Sequence, residues 1–289
     1  MTTTTVSTAT GRSRVGRTGP SRRTVAPGTI GRVVVLAIAT VLTLGPVLWT
    51  LWIAVTPQVA GSGQTRFGLS AFVDVFSKVD MVLLVWNCAL VTGLCAVGQM
   101  FTAALAGYAF ARIDFRGSRA LFGIVLATMM VPLQVTIVPV FMLIRGMGLS
   151  DTLLALILPA IPTAFGTFLM RQYFLGLPAE LAEAAAIDGA SPLRTFTSIY
   201  APLAMPGLAI VGILAFNYHW NEFFRPLILT ISEENFTLPL GLVTLQGNLG
   251  TGSVSTVLAG VVLSMIPALV VFFVGQRPLR EGLTAGTSK

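Results

Sequence analysis

The chain has 289 residues, 54% of them hydrophobic and only 10% charged, with a formal charge of +7 and a mean hydropathy of +0.84. Soluble domains carry about a quarter charged residues, so this apolar excess needs lipid or partner helices, and the chain reads as an all-α integral membrane protein. Six of its 18 basic residues lie in the first 32 positions and no acidic residue precedes Asp74, which argues against a nucleic-acid surface. A single histidine, His219, excludes a zinc-type ligand set, and no phosphate or dinucleotide loop of the usual spacing is present.

Residues 1–31 are rich in Thr, Ser, Gly and Arg and contain no aromatic residue. Such a segment cannot bury enough surface to order itself and reads as a disordered basic cytoplasmic tail; its acid-free, Arg-rich composition also resembles a transit peptide. Residues 32–289 read as one domain with six transmembrane helices. The first span, 33–55, is long enough for ~30 Å of hydrocarbon, and Trp49 and Trp52 suit an interfacial aromatic belt. A polar loop fills 57–80.

The second span, 81–110, is longer than a bilayer needs and is expected to tilt or protrude. It holds Cys88 and Cys95, about 10 Å apart along a helix, beyond disulfide reach, and read as packing residues. The third, 121–144, carries Pro132 and Pro139. Prolines at that depth need neighbours to satisfy the freed carbonyls, so this helix is expected inside the bundle. The fourth is 153–173.

Residues 177–206 are too polar for lipid and too regular for a simple loop. Pro178 suits a helix start, 179–187 are strong helix formers, Gly189 can supply a left-handed stop, and Ser191-Pro192 reads as a cap and start of a second helix. The fifth span, 203–231, is interrupted by N-Y-H-W-N-E at 217–222. A polar region covers 232–255, the sixth span 257–275, and a basic tail ends the chain.

Six spans put both termini on one side. That side holds six Lys/Arg in the tail, three after the second span, two around the 177–206 stretch and three at the C-terminal end, fourteen against four opposite. By the positive-inside rule both termini and the 177–206 element are cytoplasmic. Polar residues inside spans are costly and so mark candidates: Asn87, Gln99, Gln134, Asn217, His219, Asn221 and Glu222. Asn87 and Gln99 read as interhelical hydrogen-bonding groups. Gln134, Asn217, Trp220, Asn221 and Glu222 read as candidates for a translocation path, Glu222 alternatively pairing with Arg225 or reaching an external partner. An enzyme using Glu222, His219 and Asp188 is disfavoured, because the topology puts Asp188 on the opposite face from Glu222.

From Glu183 to Pro206 the sequence follows E-A-A-x-x-D-G-A-x-x-x-x-x-F-x-x-I-x-x-P-x-x-x-P. A-G-Y-A-F-A-R (106–112), L-S-D-T-L-L-A-L-I-L-P (149–159), R-Q-Y-F (171–174), W-N-E-F (220–223), T-L-P-L-G-L (237–242) and Q-R-x-x-x-E-G-L-T-A-G (276–286) accompany it. Together these resemble the membrane subunits of bacterial binding-protein-dependent ABC importers, and most of all the second permease of carbohydrate-type systems such as those for maltose, trehalose and glycerol phosphate. The resemblance spans roughly residues 30–289. It implies a type I importer (MetI-like) fold, a location in the bacterial plasma (inner) membrane and no catalytic residues. No cofactor is implied in this chain, ATP and magnesium being bound by partner ATPases. The implied partners are a second permease, two ABC ATPase subunits and an extracytoplasmic solute-binding protein.

The resemblance assigns Glu183, Ala184, Ala185, Asp188, Gly189 and Ala190 to a coupling helix. Small alanines allow close approach, and Glu183 and Asp188, roughly 500° apart around a helix, are expected to divide between the ATPase and bracing the turn. Phe196 and Ile199 are expected to anchor the second helix. A permease for phosphate esters, amino acids or peptides is the alternative within the same superfamily.

Overall fold

The computed structural model describes residues 27–58, 65–247 and 252–285, with side chains over 31–58, 65–247 and 252–273. Most of the expected tail lies outside these residues, and from Pro27 the chain is already helical. It divides after Leu48 into two units. The first ends within α1 (Pro27–Val55). Gly31–Val55 is a 25-residue, predominantly apolar candidate span, and Thr40 and Thr43 donate to the carbonyls of Leu36 and Ala39 at 2.7 Å each, which hides their hydroxyls within the helix.

The second unit is organised on α3 (Met81–Arg112), whose N-terminus is capped by Asp80 accepting from the Leu83 N–H at 3.0 Å. Its 32 residues extend about 48 Å. α3 packs along α7 (Ala164–Leu175) and α11 (Met205–Trp220), and α11 packs on α14 (Val254–Ala285). The α3–α7 approach is close enough that a Cβ on Gly107 would sit 2.6 Å from Cβ of Met170 and 2.9 Å from the Arg171 nitrogen. The stretch read as a polar loop contains α2 (Ser70–Lys78), which buries Ala71 and Val75 and packs on α14.

The third span departs from expectation. It is two helices, α4 (Ser118–Thr128) and α5 (Leu133–Gly146), bent by 100° at Pro132, while Pro139 is accommodated within α5. Nor does it lie inside the bundle of this chain: α4 buries no side chain and α5 only Ile137 and Ile144. Pro132 holds extended backbone and cannot continue α4, so the helix ends in turn bonds instead of borrowing neighbours.

α6 (Leu153–Ile157) continues through a 3-10 turn, Leu158–Ala160, and meets α7 at 40°. Here the carbonyls freed around Pro159 and Pro162 are claimed by side chains of α3: Gln99 Nε2 donates to Ala160 O at 2.8 Å and Thr102 Oγ1 to Ile161 O at 2.9 Å.

α8 (Glu180–Ile187) and α9 (Pro192–Thr195) follow. The chain then runs through a π turn, Phe196–Tyr200, into α10 (Ala201–Leu203) and bends by 73° into α11. The fifth span, 203–231, was expected to be interrupted at 217–222; α11 carries the polar run as far as Trp220, and the break falls at 221–223, before a separate α12 (Phe224–Leu229). The region after it, read as polar, holds α13 (Leu238–Thr244), which buries Leu238, Leu240 and Leu242. Among the described residues three helices are long and apolar enough to cross a membrane, and six crossings result if each bent pair counts as one.

Candidate functional site

Two regions of the second unit gather the polar residues singled out by the sequence. The first is the turn between α8 and α9. Gly189 has φ +74, which glycine adopts without a Cβ penalty. Around it Ala190 N–H donates to Ala185 O at 2.9 Å and Gly189 N–H to Ala186 O at 3.0 Å, a Schellman closure. Ser191 then accepts from the Arg194 N–H at 3.3 Å and Pro192 starts α9.

α8 buries Ala185 and leans Leu181 and Ala182 on an aromatic cluster. Its other face is open: Glu183, Ala184, Ala186, Ile187, Asp188 and Gly189 are exposed and Ala190 half-buried. Among the described residues neither Glu183 nor Asp188 makes a side-chain hydrogen bond or ion pair, so the expected bracing by a carboxylate is supplied by backbone bonds instead. Beside the carboxylates lie two apolar side chains given no role above, Ile187 at 87% and Leu193 at 66% exposure.

The turn is seated by the C-terminal end of α3. Tyr108 Oη donates to Pro192 O at 3.3 Å, and Arg112 Nη2 donates to Phe174 O at 2.6 Å and Leu177 O at 2.5 Å. Tyr200 Oη reaches Pro178 O at 3.3 Å, and the Arg112 guanidinium lies 5.1 Å from the Tyr200 ring. Tyr108, Phe174, Phe196 and Tyr200 interlock with centroids 5.0–6.5 Å apart. Phe196 is buried as expected, and Ile199 packs partly on the same cluster. Tyr108 and Arg112 were overlooked as positioning residues, although their i, i+4 spacing puts both on one helix face.

The second region lies inside the bundle where α11 ends. Glu222 accepts from Arg225 Nη2 and stands 2.9 Å from Nδ1 of His219; the Glu222 side chain is 9% exposed and that of Arg225 6%. Gln99 Nε2 lies 2.9 Å from Nε2 of His219 while also donating to Ala160 O. That carbonyl selects the amide orientation: Gln99 must present its NH2 there, so its second N–H points at an accepting His219 Nε2. The ring proton therefore sits on Nδ1 and donates to Glu222 Oε2. Arg225 Nη2, 3.0 Å from Nδ1, is then a close neighbour and not a partner of that nitrogen. The charges thus neutralise each other within residues 219–225.

The remaining candidates do not join this network. Trp220 is 3% exposed, stacked on Phe216 at 5.4 Å, and donates through Nε1 to Ser264 O at 3.2 Å. Asn217 and Asn221 are linked locally by Asn221 Nδ2 donating to Asn217 O at 2.8 Å, and both are exposed or half-exposed, as is Gln134 on α5. Asn87 donates to Glu234 O at 2.7 Å and Phe236 O at 3.1 Å, tying α3 to the 3-10 turn Glu233–Asn235 and the residue after it instead of to another spanning helix. Cys88 and Cys95 are buried free thiols.

A further device was missed. Asp151, in the L-S-D-T motif, has φ +56 and ties the turn before α6 to the segment that follows α12. Its carboxylate accepts from Ile231 N–H at 2.8 Å, Ser232 N–H at 3.0 Å and Ser232 Oγ at 2.5 Å, while Asn235 Nδ2 donates to its carbonyl at 2.8 Å. The bonds from Ile231 and then Ser232 lower its pKa from 3.8 to about 2.

Comparison with known proteins places these regions in context. Residues 99–279 match the family model described as "Binding-protein-dependent transport system inner membrane component". The chain is 36% identical over 223 residues to the arabinooligosaccharides transport system permease protein of Halalkalibacterium halodurans, covering 76% of this chain and 79% of that one. It is 31% identical over 254 residues to the lactose transport system permease protein of Rhizobium radiobacter, covering 86% and 92%. A solved bacterial ABC transporter involved in import of the acidic polysaccharide alginate superposes with a TM-score of 0.76 at 27% identity, over 88% of this chain and 97% of its own.

Proposed function

The chain belongs to the family of binding-protein-dependent transport system inner membrane components, and from that membership we propose how this permease subunit works and what it carries. It is a transport subunit and not an enzyme. With a second permease it forms a path for a sugar or sugar-like solute, in line with the arabinooligosaccharide and lactose permeases it is similar to. A solute-binding protein delivers the solute outside, and two ATPases drive the cycle from the cytoplasm, where both termini and the α8–α9 turn face. Glu183, Ala184, Ala185, Asp188, Gly189 and Ala190 form the coupling element, with Ile187 and Leu193 as its apolar contacts.

The observation that carries this reading is the α8–α9 turn. Its conformation is closed by backbone bonds at Gly189 and Ala190 and by the Ser191 cap, its inner face is locked to α3, and its outer face keeps two carboxylates and two apolar side chains uncommitted among the described residues. A rigid element with an open outer face can pass a displacement from an ATPase to the bundle. The test is Glu183→Ala combined with Gly189→Pro in the reconstituted complex. Uptake should collapse while the complex still assembles and the ATPases still fold; undiminished uptake would refute coupling through this turn.

A further inference from the structure

The network around His219 backs onto a cavity of about 400 Å³, a volume within the range of ligand sites, lined by Gln99, Thr163, Phe165, Leu214 and Tyr218 among others. Gln99 lies near the middle of α3, about 27 Å from its start, so the cavity sits at the depth of the α6–α7 break. Irregular backbone at membrane depth is tolerated where it is buried in protein or lines a cavity, and Thr163, at this break, is on the wall.

The uncommitted groups define what the cavity can hold. Both amide hydrogens of Gln99 are engaged by Ala160 O and His219 Nε2, which immobilises the side chain and leaves Oε1 as a fixed acceptor. Thr163 Oγ1 accepts from the Gly166 N–H at 3.0 Å, leaving its own hydrogen to donate. Tyr218 Oη has no partner among the described residues. Tyr218 and Phe165 are 58% and 46% exposed, whereas Trp220, the aromatic among the sequence candidates, is packed away. Among the described residues no charged side chain lines the cavity, and Glu222 and Arg225, in the network behind it, offset each other.

We propose that this cavity is a subsite for a neutral sugar ring, with Tyr218 as its aromatic platform, Gln99 Oε1 and Thr163 Oγ1 as hydroxyl partners, and no provision for a carboxylate or phosphate. The proposal rests on the carbohydrate reading above and narrows it: this subunit handles uncharged saccharides, in contrast to the acidic polysaccharide named for its structural neighbour.

The test uses the complete complex, both permeases, ATPases and binding protein, in liposomes. Arabino-oligosaccharides, lactose, sn-glycerol 3-phosphate and alginate oligosaccharides are offered as probes, and uptake, ATPase stimulation and complex yield are measured. A neutral sugar should be taken up and the two anionic probes should not. For that sugar, Tyr218→Ala should cut uptake at least tenfold and Leu214→Trp, which fills the cavity, should abolish it. Tyr218→Phe should stay within about threefold, and all three variants should keep wild-type complex yield. Uptake of an anionic probe, or full uptake in both Tyr218→Ala and Leu214→Trp while the Glu183→Ala/Gly189→Pro complex is inactive, overturns the subsite and leaves the transport reading standing. If no probe is taken up by the wild-type complex, or if the coupling variant imports normally, it is the transport reading that fails.

Discussion

The α8–α9 turn and the Gln99–His219–Glu222–Arg225 network make opposite use of ionisable groups. At the turn, structure is made by backbone bonds and aromatic packing, and the carboxylates of Glu183 and Asp188 are left free. In the network the carboxylate is enclosed: Oε2 of Glu222 is held by Arg225 and His219, and its buried Oε1 has no partner among the described residues, so neither oxygen is presented to an external partner. A charge on the surface costs little to keep and is available for recognition. A charge inside the bundle is tolerable only when matched. On the coupling reading proposed above, changes in the first region should affect activity with little effect on stability, and changes in the second the reverse.

The largest effect expected from this contrast is at Arg225. Arg225→Leu strands a buried carboxylate and should destabilise the chain by about 3–5 kcal/mol, read as a fall in the melting temperature and yield of the detergent-solubilised complex. The double change Arg225→Leu with Glu222→Gln removes both charges and should recover most of that loss. Glu183→Gln, by contrast, should move stability by no more than about 0.5 kcal/mol. Equal losses from Arg225→Leu and Glu183→Gln would erase the distinction between the regions.

A smaller effect is expected where the turn meets α3. Arg112→Leu removes two charge-assisted bonds to Phe174 O and Leu177 O, though its aliphatic stem is partly replaced. A loss of about 2 kcal/mol is expected, concentrated locally, so hydrogen exchange across residues 177–190 should rise while that of α3 near Asn87 stays unchanged. Uniform exchange throughout would mean that Arg112 supports the whole bundle and not the turn.

The two regions were also unequally legible in the sequence. The turn is local: Pro178, Gly189, Ser191 and Pro192 each specify backbone geometry within a few residues, and the signal survives without tertiary information. Its seating was half legible, since Tyr108 and Arg112 stand in a motif but their targets lie 62 to 84 residues on. The network was legible only as a list of costly polar residues, because the pairing of Gln99 with His219 spans 120 positions. Trp220 illustrates the limit. Its type suggests a sugar platform, yet the side of α11 it occupies faces α14, and that is decided by packing. The bend at Pro132 was signalled but misread, because a proline states that a helix breaks without stating whether neighbours repair it.

Asp151 combines the two behaviours, since it is partly exposed yet has its carboxylate tied up by hydrogen bonds as Oε2 of Glu222 is, and it yields the smallest and most specific effect. Its pKa is lowered in the folded chain, from 3.8 to about 2, first by the Ile231 N–H and then by Ser232. The folded state therefore binds fewer protons at this site than the unfolded one. The clamp's contribution is present in full above pH 3.8 and fades as pH falls toward 2. Protection of the Ile231 and Ser232 amides from hydrogen exchange, corrected for intrinsic rates, should hold from neutral pH to about pH 4 and then decline. In Asp151→Asn, which preserves shape but cannot titrate, that protection should be lower at neutral pH and lack the decline, leaving the α8–α9 turn untouched. A decline of equal size in the Asn variant would assign the pH response to some other group and remove Asp151 from the set of committed carboxylates.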